Sequence, residues 1–270
     1  MKAVILAAGR GSRLRPIVGA GPKCLAEVGG RTLIARQIET LHACGVTEVV
    51  TVLGHQREAV ERACGSDIEV VHNTRFAQTN SLYSLWLARH LLRDGFLVLN
   101  CDVLFHPHLL TRLLGSAHED ALLLAAREPE TTYSDEEMKV TVRDGRVCAM
   151  DKRLPDPDID GENVGIAKFG PEGAAVLVDE MNALIAQGGA RDWLPRAFHA
   201  FAQRRPLHVV ETGTLPWIEI DFPHDYRKAC REVWPAIAAG TAPVDPDRIT
   251  GSALGEALFS RMFHRVRTLL

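Results

Sequence analysis

Short apolar runs alternate with helix-period segments through the first half of the chain, and this alternation limits the fold more than any other feature. Lys2–Ala8, Glu48–Leu53, Ile68–His72, Phe96–Asn100 and Ala121–Ala126 read as strands. Between them, Thr32–Ala43, Gln56–Ala63, Ser81–Leu92 and His106–Leu114 read as helices. Leu33, Ile34, Ile38 and Leu41 form one apolar stripe, and Leu82, Leu85, Trp86 and Leu92 form another. Repeated β-α alternation implies an α/β fold, with a mostly parallel sheet and helices on both faces. Ligands of such sheets bind beyond the carboxyl ends of the strands. Ala8–Arg13 and Asn100–Asp102 are therefore where chemistry is expected.

From about Tyr133 the rhythm changes. Met138–Val142 and Arg146–Met150 flank Asp144-Gly145, a pair that tolerates the positive φ values of a tight hairpin turn. Val164–Phe169 reads as a strand, Ala174–Ala186 as a helix, and Leu194–Ala202 as a helix with Asp192 placed to cap it. His208–Glu211 and Trp217–Asp221 read as closing strands. Phe222–Ile237 reads as helix, with Pro223 in its first turn and Pro235 limiting its end. The expected organisation is one catalytic domain over 1–238, a Pro- and Gly-containing linker over 239–252, and an amphipathic C-terminal helix over 253–270. That helix carries Arg261, His264, Arg265 and Arg267 beside its apolar stripe. Such a helix packs on its own domain, makes a homodimer or lies against a membrane surface, and packing against protein is the simpler expectation.

Charge and cysteine usage exclude several function classes. The 31 basic and 34 acidic residues leave a net charge of −3, which gives no electrostatic case for nucleic acid or an anionic membrane. No run nears the roughly 20 apolar residues of a membrane span. Gly9–Arg13 cuts off Ala3–Ala8 short of a signal-peptide core. Cys24, Cys44, Cys64, Cys101, Cys148 and Cys230 include no CxxC pair. They fit free thiols in a cytoplasmic setting and do not fit a metal centre.

The sharpest motif is Leu6-Ala7-Ala8-Gly9-Arg10-Gly11-Ser12-Arg13-Leu14. Small residues and two glycines after a strand let backbone amides approach a polyphosphate without interference from Cβ atoms. Arg13 adds a fixed cation whose five donors suit phosphate oxygens, and Lys23 in Pro22-Lys23 supplies a second cation. Neither the P-loop nor the dinucleotide fingerprint is present. Asp102 follows the strand Phe96–Asn100 at its carboxyl end, where a carboxylate suits Mg²⁺; it lies too early to cap His106–Leu114. Period-two alternation puts Glu219 and Asp221 on one face of a strand. Asp225 behind them also reads simply as a first-turn helix acid.

Taken with Pro22-Lys23-Cys24-Leu25, the glycine-rich motif resembles the signature of the nucleotidyltransferases that activate sugar phosphates and related phospho-alcohols. The resemblance extends to about Arg231 and implies a three-layer, doubly wound, Rossmann-like sheet. It also implies that Leu6, Ala7, Ala8, Gly9, Arg10, Gly11 and Ser12 wrap the triphosphate, with Arg13 and Lys23 at the reacting phosphates. Asp102 and Asp221 would be the Mg²⁺ carboxylates, and Glu219 a supporting or substrate contact. Lys152 stands where the family carries a lysine for the acceptor phosphate. The sugar-nucleotide enzymes have Glu before it and Pro after it, however, and here Asp151 and Arg153 flank it. Lys139 is a second candidate for that work.

Gln78-Thr79-Asn80-Ser81-Leu82-Tyr83-Ser84-Leu85-Trp86 resembles the phosphocholine and phosphonate cytidylyltransferases more than the sugar-activating enzymes. Asn73, Thr79 and Asn80 would then lie near the base or hold the loop that does. Tyr83, Trp86 and Trp217 are candidates for an aromatic wall around an acceptor amine, although the helical spacing of Trp86 equally fits a core position. The expected reaction couples CTP, with Mg²⁺, to a phosphocholine-like or 2-aminoethylphosphonate-like acceptor and releases pyrophosphate. A sugar-1-phosphate or inositol-phosphate acceptor is the alternative within the class. A non-catalytic regulator on the same fold would be expected to lack Arg13, Lys23, Asp102 or Asp221, and all four are present.

Overall fold

Alternate residues of Lys2–Ala7 (β1) feed two different cores, which sets the layering of the molecule. Ala3, Ile5 and Ala7 face one side of the sheet and Val4 and Leu6 the other. The computed structural model describes residues 1–66 and 68–240. On the Ile5 side pack the helices Leu33–Ala43 (α1), Arg57–Cys64 (α2) and Pro107–Gly115 (α4), through Ile34, Ile38, Leu41, Val60, Leu109 and Leu113. On the Leu6 side pack Ser81–Leu87 (α3), Pro171–Ala186 (α5) and Pro195–Ala202 (α6), through Leu82, Leu85, Leu177, Met181, Phe198 and Phe201. Each fully buried Leu or Phe of this kind contributes about 1.5–3 kcal/mol of burial, so the stripes read from the sequence account for both faces.

The remaining strands of the main sheet are Val49–Leu53 (β2), Glu69–His72 (β3) and Phe96–Asn100 (β4), then Ala121–Ala126 (β6), Lys139–Arg143 (β7) and Arg146–Asp151 (β8), and finally Gly161–Phe169 (β9) and His208–Glu211 (β10). Their order is β3-β2-β1-β4-β9-β6-β10-β8-β7. Strands β3, β2, β1 and β4 are parallel, as are β6 and β10. The sheet as a whole is mixed, because β9 enters antiparallel between β4 and β6 and the hairpin β7–β8 is antiparallel at the edge. Strand β9 also begins at Gly161, three residues before the expected Val164. The β7–β8 turn has the anticipated form, with positive φ at both Asp144 and Gly145.

Three local expectations change. Trp217–Glu219 does not close the main sheet; it pairs antiparallel with Val103–Phe105 (β5) and is labelled β11. Asp192 does not cap α6: the Leu194 N–H donates to Ser81 Oγ at 2.8 Å, and Asp192 instead pairs with Arg196. The C-terminal helical run passes through Pro235, continuing as Trp234–Gly240 after the π-helical segment Ala229–Val233. A wider turn just before a proline, which has no N–H to give, relieves the usual conflict with the preceding turn. Of the expected linker, residues 239 and 240 end this helix; 241–252 and the helix expected over 253–270 lie outside the described residues. No helix among the described residues is long and apolar enough to cross a membrane.

Candidate active site

In the parallel part of the sheet Leu6 stands beside Asn100, so the loops leaving β1 and β4 emerge side by side at the carboxyl end. Between them opens a cleft of about 410 Å³. Leu6, Ala7, Ala8, Gly9, Arg10, Gly11, Ser12 and Arg13 all line it, with Lys23 and Asp102. The two glycines have different causes. Gly11 has φ +58, and a Cβ there would lie 2.5 Å from Lys23 Cβ, so only glycine lets Lys23 approach. A Cβ on Gly9 would meet nothing within 4 Å. Among the described residues no packing contact demands glycine there, and its effect is to leave bare backbone at the cleft.

The acidic side is assembled from distant segments. Strand β5 begins one residue after Asp102, and its ladder with β11 sets Glu219 opposite Val103. The Ile220 N–H then donates to the Asp102 carbonyl at 3.0 Å, drawing Asp221 to Asp102. Buried Gln37 donates through Nε2 to the Asn100 and Val103 carbonyls, at 2.8 and 2.9 Å, and fixes the turn that bears Asp102. Asp225 Oδ2 accepts from the Asp221 and Phe222 N–H groups at 3.1 and 2.8 Å, capping the helix Pro223–Lys228 and holding the Asp221 backbone.

Lys23 Nζ lies 2.5 Å from Asp102 Oδ2 and also contacts Asp221 Oδ1. Arg13 Nη2 lies 2.9 Å from Asp221 Oδ2, and Arg13 Nη1 reaches Glu136 Oε2 at 2.7 Å. Burial opposes the charge on Lys23, but Asp102, Asp221 and Glu219 together hold its ammonium pKa above the ordinary value. Burial likewise works against ionised Asp221, and Lys23 and Arg13 overcome it and bring that carboxyl below its usual range. Glu219 goes the other way: burial first, then Asp102 and Asp221, push it up to about 8. The ligating oxygens of Asp102, Glu219 and Asp221 lie within 4.8 Å of one another. Asp102 Oδ1 is buried with no hydrogen-bond partner among the described residues, a state that costs free energy unless a cation or donor joins it. These residues fit a hard divalent cation, whose ligands are carboxylate oxygens.

Lys152, Asn73, Thr79, Asn80, Glu219 and Asp221 also line the cleft. Asn73 Nδ2 donates to Thr79 Oγ1 and Ser84 Oγ, both at 3.1 Å, and its Oδ1 accepts from the Arg75 N–H. Asn73 thus holds the 73–80 loop together, with its side chain already engaged on both ends. Asn80 caps α3, its Oδ1 accepting from the Ser81 N–H at 2.8 Å.

Four expected substrate contacts do not line the cleft: Tyr83, Trp86, Lys139 and Trp217. Trp86 is packed on the Leu6-side core, and its indole N–H donates to Asn182 Oδ1 at 2.8 Å. Tyr83 stacks on Trp86 at 5.4 Å, so the two aromatics serve each other and the helix layer. Trp217 packs against the opposite core. Lys139 is buried and donates to the Lys152 carbonyl at 2.5 Å, so it supports the backbone that carries Lys152.

Sequence reasoning missed Glu136, Asn163 and Trp193, all of which line the cleft. Trp193 is 51% exposed, and Lys152 Nζ sits 4.8 Å from its ring centroid. The one sequence signal for Glu136 is the acidic run Asp135-Glu136-Glu137, which also reads as an ordinary solvated surface. Trp193 sits in a turn after Arg191-Asp192, away from any periodic pattern that would mark it.

A glycine-rich strand end, the largely buried Lys23, the more exposed Arg13 and a carboxylate cluster at the carboxyl edge of a doubly wound sheet define a nucleotide-handling α/β domain. Comparison with known families makes this specific: the description "MobA-like NTP transferase domain" matches residues 3–205, and the chain belongs to that family. It is 31% identical over 247 residues to the CMP-5'-(3-aminopropyl)phosphonate synthase of Streptomyces rubellomurinus, covering 85% of this chain and 38% of that protein. It is 32% identical over 234 residues to the bifunctional IPC transferase and DIPP synthase of Rubrobacter xylanophilus, covering 83% of this chain and 50% of that protein. The chain thus spans half or less of the length of these two curated relatives. Among solved structures, the CTP:phosphocholine cytidylyltransferase of Streptococcus pneumoniae superposes with a TM-score of 0.70 at 24% identity, over 84% of this chain and 96% of that one. The inositol-1-phosphate CTP transferase of T. maritima gives 0.72 at 22% identity, over 90% and 97%. These two likenesses establish the nucleotide-diphospho-sugar transferase-like fold.

Proposed function

We propose that this chain is a Mg²⁺-dependent nucleotidyltransferase that moves the cytidylyl group of CTP onto a small phosphate or phosphonate acceptor bearing an amine. The observation that carries this reading is the facing of Arg13 and Lys23 onto Asp102 and Asp221 in one cleft, beside the bare backbone of Gly9. Lys23 and Arg13 take the triphosphate oxygens and stabilise the charge that gathers on the departing pyrophosphate. Asp102 and Asp221, with Glu219, would hold the Mg²⁺, which would neutralise phosphate charge there. Lys152 orients the acceptor's phosphoryl group. One of that group's oxygens attacks the α-phosphorus in line; the bond from the α-phosphorus to the bridging oxygen breaks, and pyrophosphate leaves with the electron pair. The attacking group is already largely ionised near neutral pH, so no general base is required. Catalysis is positioning and electrostatics.

The choice of acceptor rests on Trp193. Its indole is half-exposed at the Lys152 end of the cleft, and the Lys152 ammonium over its ring shows that the ring accepts a cation. A substrate ammonium on such a face gains about 0.5–2 kcal/mol. The relatives named for phosphonate and phosphocholine chemistry point the same way. Pyrophosphate release over the four nucleoside triphosphates, each paired with phosphocholine, 2-aminoethylphosphonate, inositol 1-phosphate or glucose 1-phosphate, tests the reading. Turnover is expected with CTP and the amine acceptors. Preference for inositol 1-phosphate would keep the class and move the acceptor; no turnover with any pair would remove the enzyme.

A further inference from the structure

Arg13 and Lys23 are claimed twice in this cleft, once by the carboxylates and once by the triphosphate they are suited to bind. Asp102 and Asp221 offer four carboxylate oxygens, and these two cations hold three of them. Lys23 takes Asp102 Oδ2 and Asp221 Oδ1, and Arg13 takes Asp221 Oδ2. Only Asp102 Oδ1 is without a partner among the described residues. A divalent cation needs several oxygens at once. It cannot share the space between Asp102 and Asp221 with an ammonium, because two positive charges in contact repel strongly in a buried site. Lys23 is itself only 14% exposed, so it has little solvent to retreat into. The triphosphate is the natural alternative partner for both cations, with more charge and more acceptors than the carboxylates.

We infer, resting on the metal and nucleotide reading above, that Lys23 is an exchangeable counter-ion that closes the metal site until nucleotide arrives. In the nucleotide-free chain Lys23 neutralises Asp102 and Asp221. The triphosphate then draws Lys23 and Arg13 to itself, and the divalent cation takes the carboxylates they release. Metal and nucleotide affinities are thereby coupled, each raising the other by the same factor. Arg13 gives the exchange a longer reach. It also holds Glu136, which in turn lies 3.4 Å from Lys152. Moving Arg13 therefore leaves Glu136 to Lys152 alone.

The test is Mn²⁺ binding to the full chain without nucleotide, read from the paramagnetic resonance of free Mn²⁺. Lys23→Gln is expected to bind Mn²⁺ at least about tenfold more tightly than the wild type, since a like charge has left the site. Arg13→Gln is expected to give a smaller gain, and adding Asp102→Asn to Lys23→Gln to abolish the gain. Mn²⁺ alone should raise the thermal midpoint of Lys23→Gln and leave that of the wild type nearly unchanged. Equal or weaker Mn²⁺ binding by both single variants overturns the inference while leaving the metal site standing. If no form of the folded chain takes up Mn²⁺, even with CTP beyond what CTP binds by itself, the metal reading falls and the inference falls with it.

Discussion

The two ends of the cleft are built on different plans. At one end the glycine-rich loop, Lys23 and Asp102 follow the parallel strands β1 and β4, and the β5–β11 ladder locks Asp221 beside them. At the other end Lys152 follows β8 in the β7–β8 hairpin at the sheet margin, Trp193 stands in a turn, and Glu136 lies in the irregular stretch before β7. The first end is held by the sheet centre and by buried Gln37 beneath the turn that bears Asp102. The second hangs on a sheet edge and on loops, which accept change at lower cost to the fold. Chemistry shared by every turnover belongs on the rigid end, and recognition that distinguishes acceptors belongs on the adaptable one.

The division can be broken by mutation. Asp102→Asn should lower kcat about a thousandfold with every acceptor alike, since it removes charge at the shared end. Circular dichroism should be unchanged, and an effect confined to one acceptor would contradict the division. Lys152→Ala should lower kcat/KM for the acceptor about a hundredfold and leave the KM for CTP within about twofold. Equal damage to both substrates would merge the two ends. Trp193→Leu should raise the KM of phosphocholine about tenfold and leave that of its uncharged isostere, 3,3-dimethylbutyl phosphate, nearly unchanged. Trp86→Leu, by contrast, should leave turnover within about twofold and lower the thermal midpoint, since it loses core packing and the bond to Asn182.

The smallest effect is on stability. Glu219, pushed up to about 8, keeps a proton that the unfolded chain has lost above about 4.5. Between those values the unfolded chain binds fewer protons, so stability falls as pH rises through this window and levels off above it. Asp221 acts outside that window, because its lowered pKa makes stability fall only in stronger acid. With EDTA present, the wild-type midpoint should drop between about pH 5 and about pH 8, and Glu219→Gln should flatten the slope. A wild-type midpoint rising with pH would show that the carboxylate cluster is not buried as described.

The rigid end was largely legible in the sequence because its signals are local. A strand, two glycines and Arg13 lie within a dozen residues, and Asp102 ends an unmistakable apolar run. Asp221 was legible through the alternation of Trp217–Asp221, although its strand pairs with β5 and not with the main sheet. Helical spacing fixed Leu82 and Leu85 in the core but could not say which way Trp86 and Tyr83 would serve. Trp86 packs on the core of the helix layer and Tyr83 stacks on it. The adaptable end carries no period to read. Trp193 reaches the cleft because α6 packs against β8, a contact between segments far apart in sequence, and Glu136 because the irregular stretch before the β7–β8 hairpin runs there. Lys139 was drawn into the site by its charge, whereas its strand position buries it under Lys152.

The most direct test of nucleotidyl transfer is ³¹P NMR of the chain with CTP, Mg²⁺ and 2-aminoethylphosphonate. Coupled resonances of a new CMP–phosphonate anhydride are expected, growing in step with free pyrophosphate and absent from the Asp102→Asn, Asp221→Asn double variant. Release of orthophosphate with CDP would place the reaction at the γ-phosphorus, and an unchanged spectrum would mean no reaction at all; either result would rule out cytidylyl transfer by this chain.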